Sequence, residues 1–190
     1  MDAWKQWSVA LFAFGLMFAG LPLVPSWQGQ FTEICHLAVI AGGLTMVLLV
    51  VTRLLGPRGI AIERIWSAMF LSGMPVIYLI SWLVAHDEGD SKAWFWVELA
   101  GVPVYNVLAA LGLKRSPWFL IGGIAAHGLA WDAWHLLTRT TYVPAWYSVA
   151  CLLADVGLSA YLATRVPAWE SARREERGPA RPVTSASAVG

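Results

Sequence analysis

The stretch AHGLAWDAWH, residues 126–135, places His127, Asp132 and His135 inside an apolar run from Pro117 to Leu137 that is long enough to cross a bilayer. An ionisable group near the bilayer centre costs about 2.5–3.5 kcal/mol on insertion scales, so such groups face a partner, a cavity or a substrate. A carboxylate beside an imidazole suits acid–base chemistry, because burial changes the proton affinity of the acid while the imidazole takes up or delivers the proton. Asp132 with His135, one helical turn apart, is the first candidate couple. Glu98 is a second carboxylate, and His127 with Asp155 is a deeper couple.

Metal chemistry is the other use of these residue types. Glu33-x-x-His36 and Asp132-x-x-His135 each set a carboxylate one turn from an imidazole, and Glu98 and Asp155 add one carboxylate from each of two further helices. That inventory matches a di-metal carboxylate bundle. Straight helices, rising about 1.5 Å per residue, leave Asp155 about 10 Å below Asp132, too far to share one metal pair. A mononuclear site from His36, Asp132, His135 and Glu98 is geometrically easier, with Zn the default for mixed His and carboxylate ligands.

These residues need helices to hold them. Hydrophobic residues make up 58% of the 190-residue chain and charged residues 13%, and the chain has 12 Trp, a balance that excludes an ordinary soluble domain. Apolar runs at 7–24, 34–55, 65–85, 93–113, 117–137 and 143–165 predict six transmembrane helices. The first run follows Lys5 and could be a secretory signal, but it continues through Leu21, Leu23 and Val24 without an A-x-A pattern, which favours a retained helix. Lys5, Arg53, Arg58, Arg64, Lys114, Arg115, Arg165, Arg173, Arg174, Arg177 and Arg181 then share one side, against Lys92 and Arg139 on the other. The positive-inside rule makes both termini cytoplasmic.

The expectation is therefore an all-α integral membrane bundle of six helices over residues 1–166. A basic cytoplasmic tail, disordered beyond its start, follows over 167–190. Short connections make successive helices antiparallel neighbours. The location implied is a bacterial inner or plasma membrane, with the lipid bilayer as a partner. A net charge of +1 gives no argument for nucleic acid. Cys35 and Cys151 fall in expected helices and read as buried apolar residues. No internal repeat supports an inverted-repeat transporter.

In this topology Glu33, His36, Glu98, His127, Asp132, His135 and Asp155 all lie in the outer half or at the midplane, and the cytoplasmic half offers only Asn106. At about 100° per residue, His127, Trp131, Asp132, Trp134 and His135 share one face of the fifth helix. Leu129, Ala130, Ala133 and Leu137 form the opposite face. On the sixth helix Tyr147, Cys151 and Asp155 stack at i, i+4 and i+8, and the two polar faces are expected to look at each other.

Trp96, Trp131, Trp134, Trp146 and Tyr147 favour a small apolar substrate, lipid- or isoprenoid-like, or a cation held over indole faces. The first functional reading is an enzyme, an isomerase, cyclase or hydrolase, working at an outward-facing site. The alternatives are the six-helix substrate-binding subunit of a small-molecule importer and a non-catalytic membrane subunit whose buried polar groups specify assembly. No Gly-x-Ser-x-Gly, His-Glu-x-x-His or phosphate-loop motif is present.

His127-Gly128, Trp131-Asp132 and His135, followed by Val143-Pro144-x-Trp146-Tyr147 and Asp155, resemble short multi-pass bacterial membrane proteins of unassigned function. In those proteins Trp-Asp stands one residue closer to His-Gly. The resemblance covers about a quarter of the chain. It implies that the fifth and sixth helices form one unit and implies no activity.

Overall fold

A computed structural model describes residues 50–177 except 87, 89 and 90. The expected first helix, most of the second, Glu33, Cys35, His36 and the tail beyond 177 lie outside the described residues. A helical segment, 50–54, leads through Gly56, whose positive φ of 57° turns the chain into α1. The α-helices are α1 (Pro57–Ala85), α2 (Ala93–Lys114), α3 (Pro117–Ala126), α4 (Ala133–Thr138) and α5 (Ala145–Arg177), with a π-helical segment, π1 (His127–Asp132), between α3 and α4.

The all-α character holds, but the six-helix bundle does not. Among the described residues three helices are long and apolar enough to span a membrane: α1, α2 and α5. Three such spans among the described residues make the chain a multi-pass membrane protein. The run 117–137 is not one helix: α3, π1 and α4 divide it. A hydropathy pattern reports which residues avoid water and is blind to a change of helical pitch, which is why the run reads as continuous.

Helix starts follow local chemistry. Pro57 and Pro117 occupy first-turn positions where a missing N–H costs nothing, and Ser116 Oγ accepts from the Trp118 N–H at 3.4 Å. Pro75 and Pro103 lie within α1 and α2, which run through them. α1 packs against α2, α2 against α3, and α5 against both α3 and π1. Leu71, Met74, Ala109, Leu120, Ile124 and Leu162 form the core between them. Leu54, Met69, Val84, Val104, Leu129 and Leu137 point outward, the surface that lipid covers.

The polar residues gather at two levels. Near the start of α1, Glu63 is buried and takes donors from α5: Arg165 Nε at 3.1 and 3.0 Å from its two oxygens, Tyr161 OH at 2.9 Å and Trp169 Nε1 at 2.9 Å. Arg53 reaches the same Tyr161 hydroxyl at 3.4 Å. Asn106 was the only polar group anticipated in that half. Glu63 corrects this, because α1 begins at Pro57 rather than at 65 and so includes the carboxylate. α5 also continues past residue 166, with Trp169 buried.

Removing one partner of a buried ion pair strands the other. Arg165→Met should lower unfolding stability by about 3 kcal/mol. The double replacement Glu63→Met with Arg165→Met should recover most of that loss in thermal unfolding of the detergent-solubilised chain, and equal losses for the single and double variants would contradict this.

Candidate functional site

At the opposite level, α1, α2, π1, α4 and α5 bring five ionisable side chains together. Glu98, Asp132 and Asp155 are completely buried, and His127 and His135 nearly so. His127 Nδ1 faces Asp155 Oδ2 at 2.8 Å and Asp132 Oδ2 at 3.5 Å. Ligand atoms of His127, Asp132 and Asp155 all lie within 4.8 Å of one another, a cluster capable of coordinating a metal ion. The Tyr78 hydroxyl donates to Asp132 Oδ1 at 2.5 Å and lies 3.3 Å from Ser148 Oγ.

The π turn makes this convergence possible. In a regular α-helix residues i and i+5 point about 140° apart, which would turn Asp132 away from His127. Closing hydrogen bonds at i to i+5 places them on one side. Direction along the helix does the rest. Side chains tilt toward their own helix N-terminus, so on antiparallel neighbours Asp132 leans back toward α3 while Asp155 leans toward the start of α5. Asp155 stands beside Gly128, four residues before Asp132, so the gap expected from straight helices is already reduced at the backbone and the opposed tilts close the remainder between carboxylates.

Gly128 permits the approach, since a Cβ there would stand 2.8 Å from Asp155 Cβ and 3.1 Å from the Leu152 carbonyl oxygen. Gly101 gives the same room on α2, where a Cβ would lie 2.8 Å from the Trp131 ring.

Asp132 and His135 are not a couple. Turning Asp132 toward Tyr78 and His127 leaves His135 to Glu98, with Nε2 3.0 Å from Glu98 Oε1 but off the hydrogen-bond line. Glu98 also accepts from Tyr142 OH at 2.6 Å and Trp131 Nε1 at 3.3 Å. His135 Nδ1 lies 3.1 Å from Thr140 Oγ1. Arg139, at a positive φ of 53°, ends α4 and folds the chain back to deliver Thr140 and Tyr142.

Rings enclose the site. Tyr78 stacks on His135 with centroids 4.4 Å apart, and Tyr105 meets His127 edge-on at 5.2 Å. Trp134 lies 5.5 Å from His135, and Tyr147 lies 5.9 Å from Tyr78. Trp146 touches Tyr147 on the flank. Trp96 is 65% exposed against Phe95, on the outer surface and apart from the cluster. Cys151 is a free thiol on α5.

Sequence reasoning missed Tyr78, Tyr105, Thr140, Tyr142 and Ser148. A tyrosine in an apolar run carries a readable signal, because its buried hydroxyl needs a partner. Thr140 and Tyr142 carry none, since a loop conformation places them. The chain matches no protein-family model, no curated protein and no solved structure.

Two substitutions probe this geometry. Tyr78→Phe removes the donor to Asp132 Oδ1 and should cost about 1–3 kcal/mol. Gly128→Ala forces π1 away from α5 and should cost about 1–3 kcal/mol. Leu129→Ala, on the lipid side, should stay within about 0.5 kcal/mol of wild type. Thermal unfolding in one detergent ranks the three, and an equal effect at all of them would contradict the packing described.

Proposed function

We propose that the protein is a membrane-embedded enzyme that acts on an apolar, lipid- or isoprenoid-like substrate by acid–base chemistry at His127, Asp132 and Asp155. One observation carries this reading: the two buried polar levels differ in saturation. Glu63 has donors on both oxygens and behaves as a clamp. All five buried side-chain polar atoms without a hydrogen-bond partner among the described residues lie toward the other level, four of them in the acid–base cluster, His127 Nε2, Asp132 Oδ2, His135 Nε2 and Asp155 Oδ1, and the fifth, Trp82 Nε1, one turn beyond Tyr78. Buried polar groups are ordinarily paired, and an unpaired cluster of acids and bases is affordable where a substrate or ion completes it.

While Asp155 is ionised it only accepts, so a proton shared between the two sits on His127 Nδ1. That contact fixes the orientation of the ring, and Nε2 is its nitrogen without a partner among the described residues. Asp132 Oδ2, 3.5 Å from the same Nδ1, is the second acid–base group. Glu98 and His135, held by Tyr142, Trp131 and Thr140, position the wall. Trp131, Trp134 and Tyr147 supply aromatic surface suited to an apolar molecule arriving through the bilayer. Arg53, Arg58, Arg64, Lys114, Arg115, Arg165, Arg173 and Arg174 lie at the Glu63 level, against Lys92 and Arg139 at the other. That asymmetry supports an outward-facing site.

The test is mass-spectrometric profiling of apolar extracts from vesicles loaded with wild-type protein, with Asp132→Asn or with Asp155→Asn. Wild type should deplete one species and accumulate another. Each variant should slow that change by about 100-fold or more, the usual contribution of a positioned acid or base. Identical profiles for wild type and both variants would refute the assignment.

A further inference from the structure

We propose that His127, Asp132 and Asp155 bind one divalent first-row transition ion of the zinc type. The inference rests on reading this cluster as the reacting centre, and goes beyond it in naming the electrophile.

Charge supplies the first argument. The site buries three carboxylates, Glu98, Asp132 and Asp155, against two imidazoles, His127 and His135. The buried arginine, Arg165, is committed to Glu63 at the other level. With all three acids ionised and both imidazoles protonated, the site holds one excess negative charge in an apolar surround, which a proton on one carboxylate or a bound cation must offset. A divalent ion held by neutral His127 and the two aspartate carboxylates is balanced, and Glu98 has His135 Nε2 3.0 Å away beside it.

Geometry supplies the second. Tetrahedral ligands at bond lengths of about 2.0–2.1 Å stand about 3.4 Å apart. The Nδ1 to carboxylate separations here, 2.8 and 3.5 Å, bracket that value. Asp132 Oδ2, in a fully buried side chain, has no hydrogen-bond partner among the described residues and faces Nδ1. An ion would take the place of the proton on Nδ1, leaving the ring proton on Nε2. Tyr78, donating to Asp132 Oδ1, would orient that ligand from behind, as outer partners of metal ligands do.

Three protein ligands leave a coordination position for a substrate oxygen, the pattern of catalytic rather than structural zinc. An imidazole with two carboxylates suits zinc or its neighbours better than magnesium or calcium, which prefer all-oxygen shells. The candidate ligand set named from sequence, His36, Asp132 and His135 with Glu98, is replaced: His135 and Glu98 face each other, and His36 lies outside the described residues.

The experiment is Zn2+ titration of the full chain, purified in detergent and stripped with chelator, read by competition with a chromophoric chelator. One saturable equivalent is expected in wild type. Asp155→Asn and His127→Gln should each weaken it by about tenfold or more, while His135→Gln stays within about threefold. Because a variant can fail to fold, Co2+ is added to wild type in parallel. The intense visible bands of a four- or five-coordinate nitrogen–oxygen site support the proposal, and the pale spectrum of the hydrated ion overturns it. No saturable equivalent, or one unchanged in Asp155→Asn and His127→Gln, also overturns it. If the substrate-profile difference between wild type and Asp132→Asn persists without a zinc site, the ion fails and the acid–base reading stands. A zinc site with no profile difference reverses that outcome.

Discussion

Two buried aspartates compete for one imidazole nitrogen. His127 Nδ1 faces Asp155 at 2.8 Å and Asp132 at 3.5 Å, and the local architecture follows from holding all three in that arrangement. The π turn puts residues 127 and 132 on one side, Gly128 lets that turn lie against α5, and opposed side-chain tilts bring the carboxylates to one depth. A regular helix through 117–137 would gain better backbone hydrogen bonds and lose the cluster. The wider turn is retained at a polar, buried position, where irregular helix geometry commonly serves a site.

The contrast between the two polar levels gives the molecule a division of labour. Glu63, Arg165, Tyr161 and Trp169 tie the beginning of α1 to α5 with donors on both oxygens of the carboxylate. That clamp holds the helices that carry Tyr78 and Asp155 without itself needing anything further. At the other level the same helices present acids and bases whose requirements the described residues leave partly unmet. Tyr78 joins the halves of that level, since its hydroxyl holds Asp132 and its ring lies flat on His135.

Much of this was legible from residue types. An ionisable group in an apolar run announces a buried polar site, and the facing of His127 toward Asp155 followed from helical angle and topology. Among the described residues the number of spanning helices did not follow, three where four runs led to the expectation of four, because hydropathy cannot see that 117–137 changes pitch. Asp132 was misassigned for the same reason: at a constant 100° per residue it falls nearest His135, whereas the π turn delivers it to His127. Glu63 was hidden by an assumed helix start at 65, and Tyr142 by a loop whose path depends on the left-handed backbone at Arg139. Pattern shows what must be buried, while partner choice is decided by pitch and by side-chain direction.

The central claim is that one ring nitrogen of His127 is shared by Asp155 and Asp132 inside the membrane. Nitrogen NMR of the full chain with 15N-labelled histidine, assigned through His127→Gln, reads it directly. The account predicts that the Nδ1 resonance of His127 shifts in Asp155→Asn and in Asp132→Asn and is nearly unmoved in Glu98→Gln, while the His135 resonances show the reverse. A His127 signal indifferent to both aspartates, or one that follows Glu98, would contradict the convergence on which the rest depends.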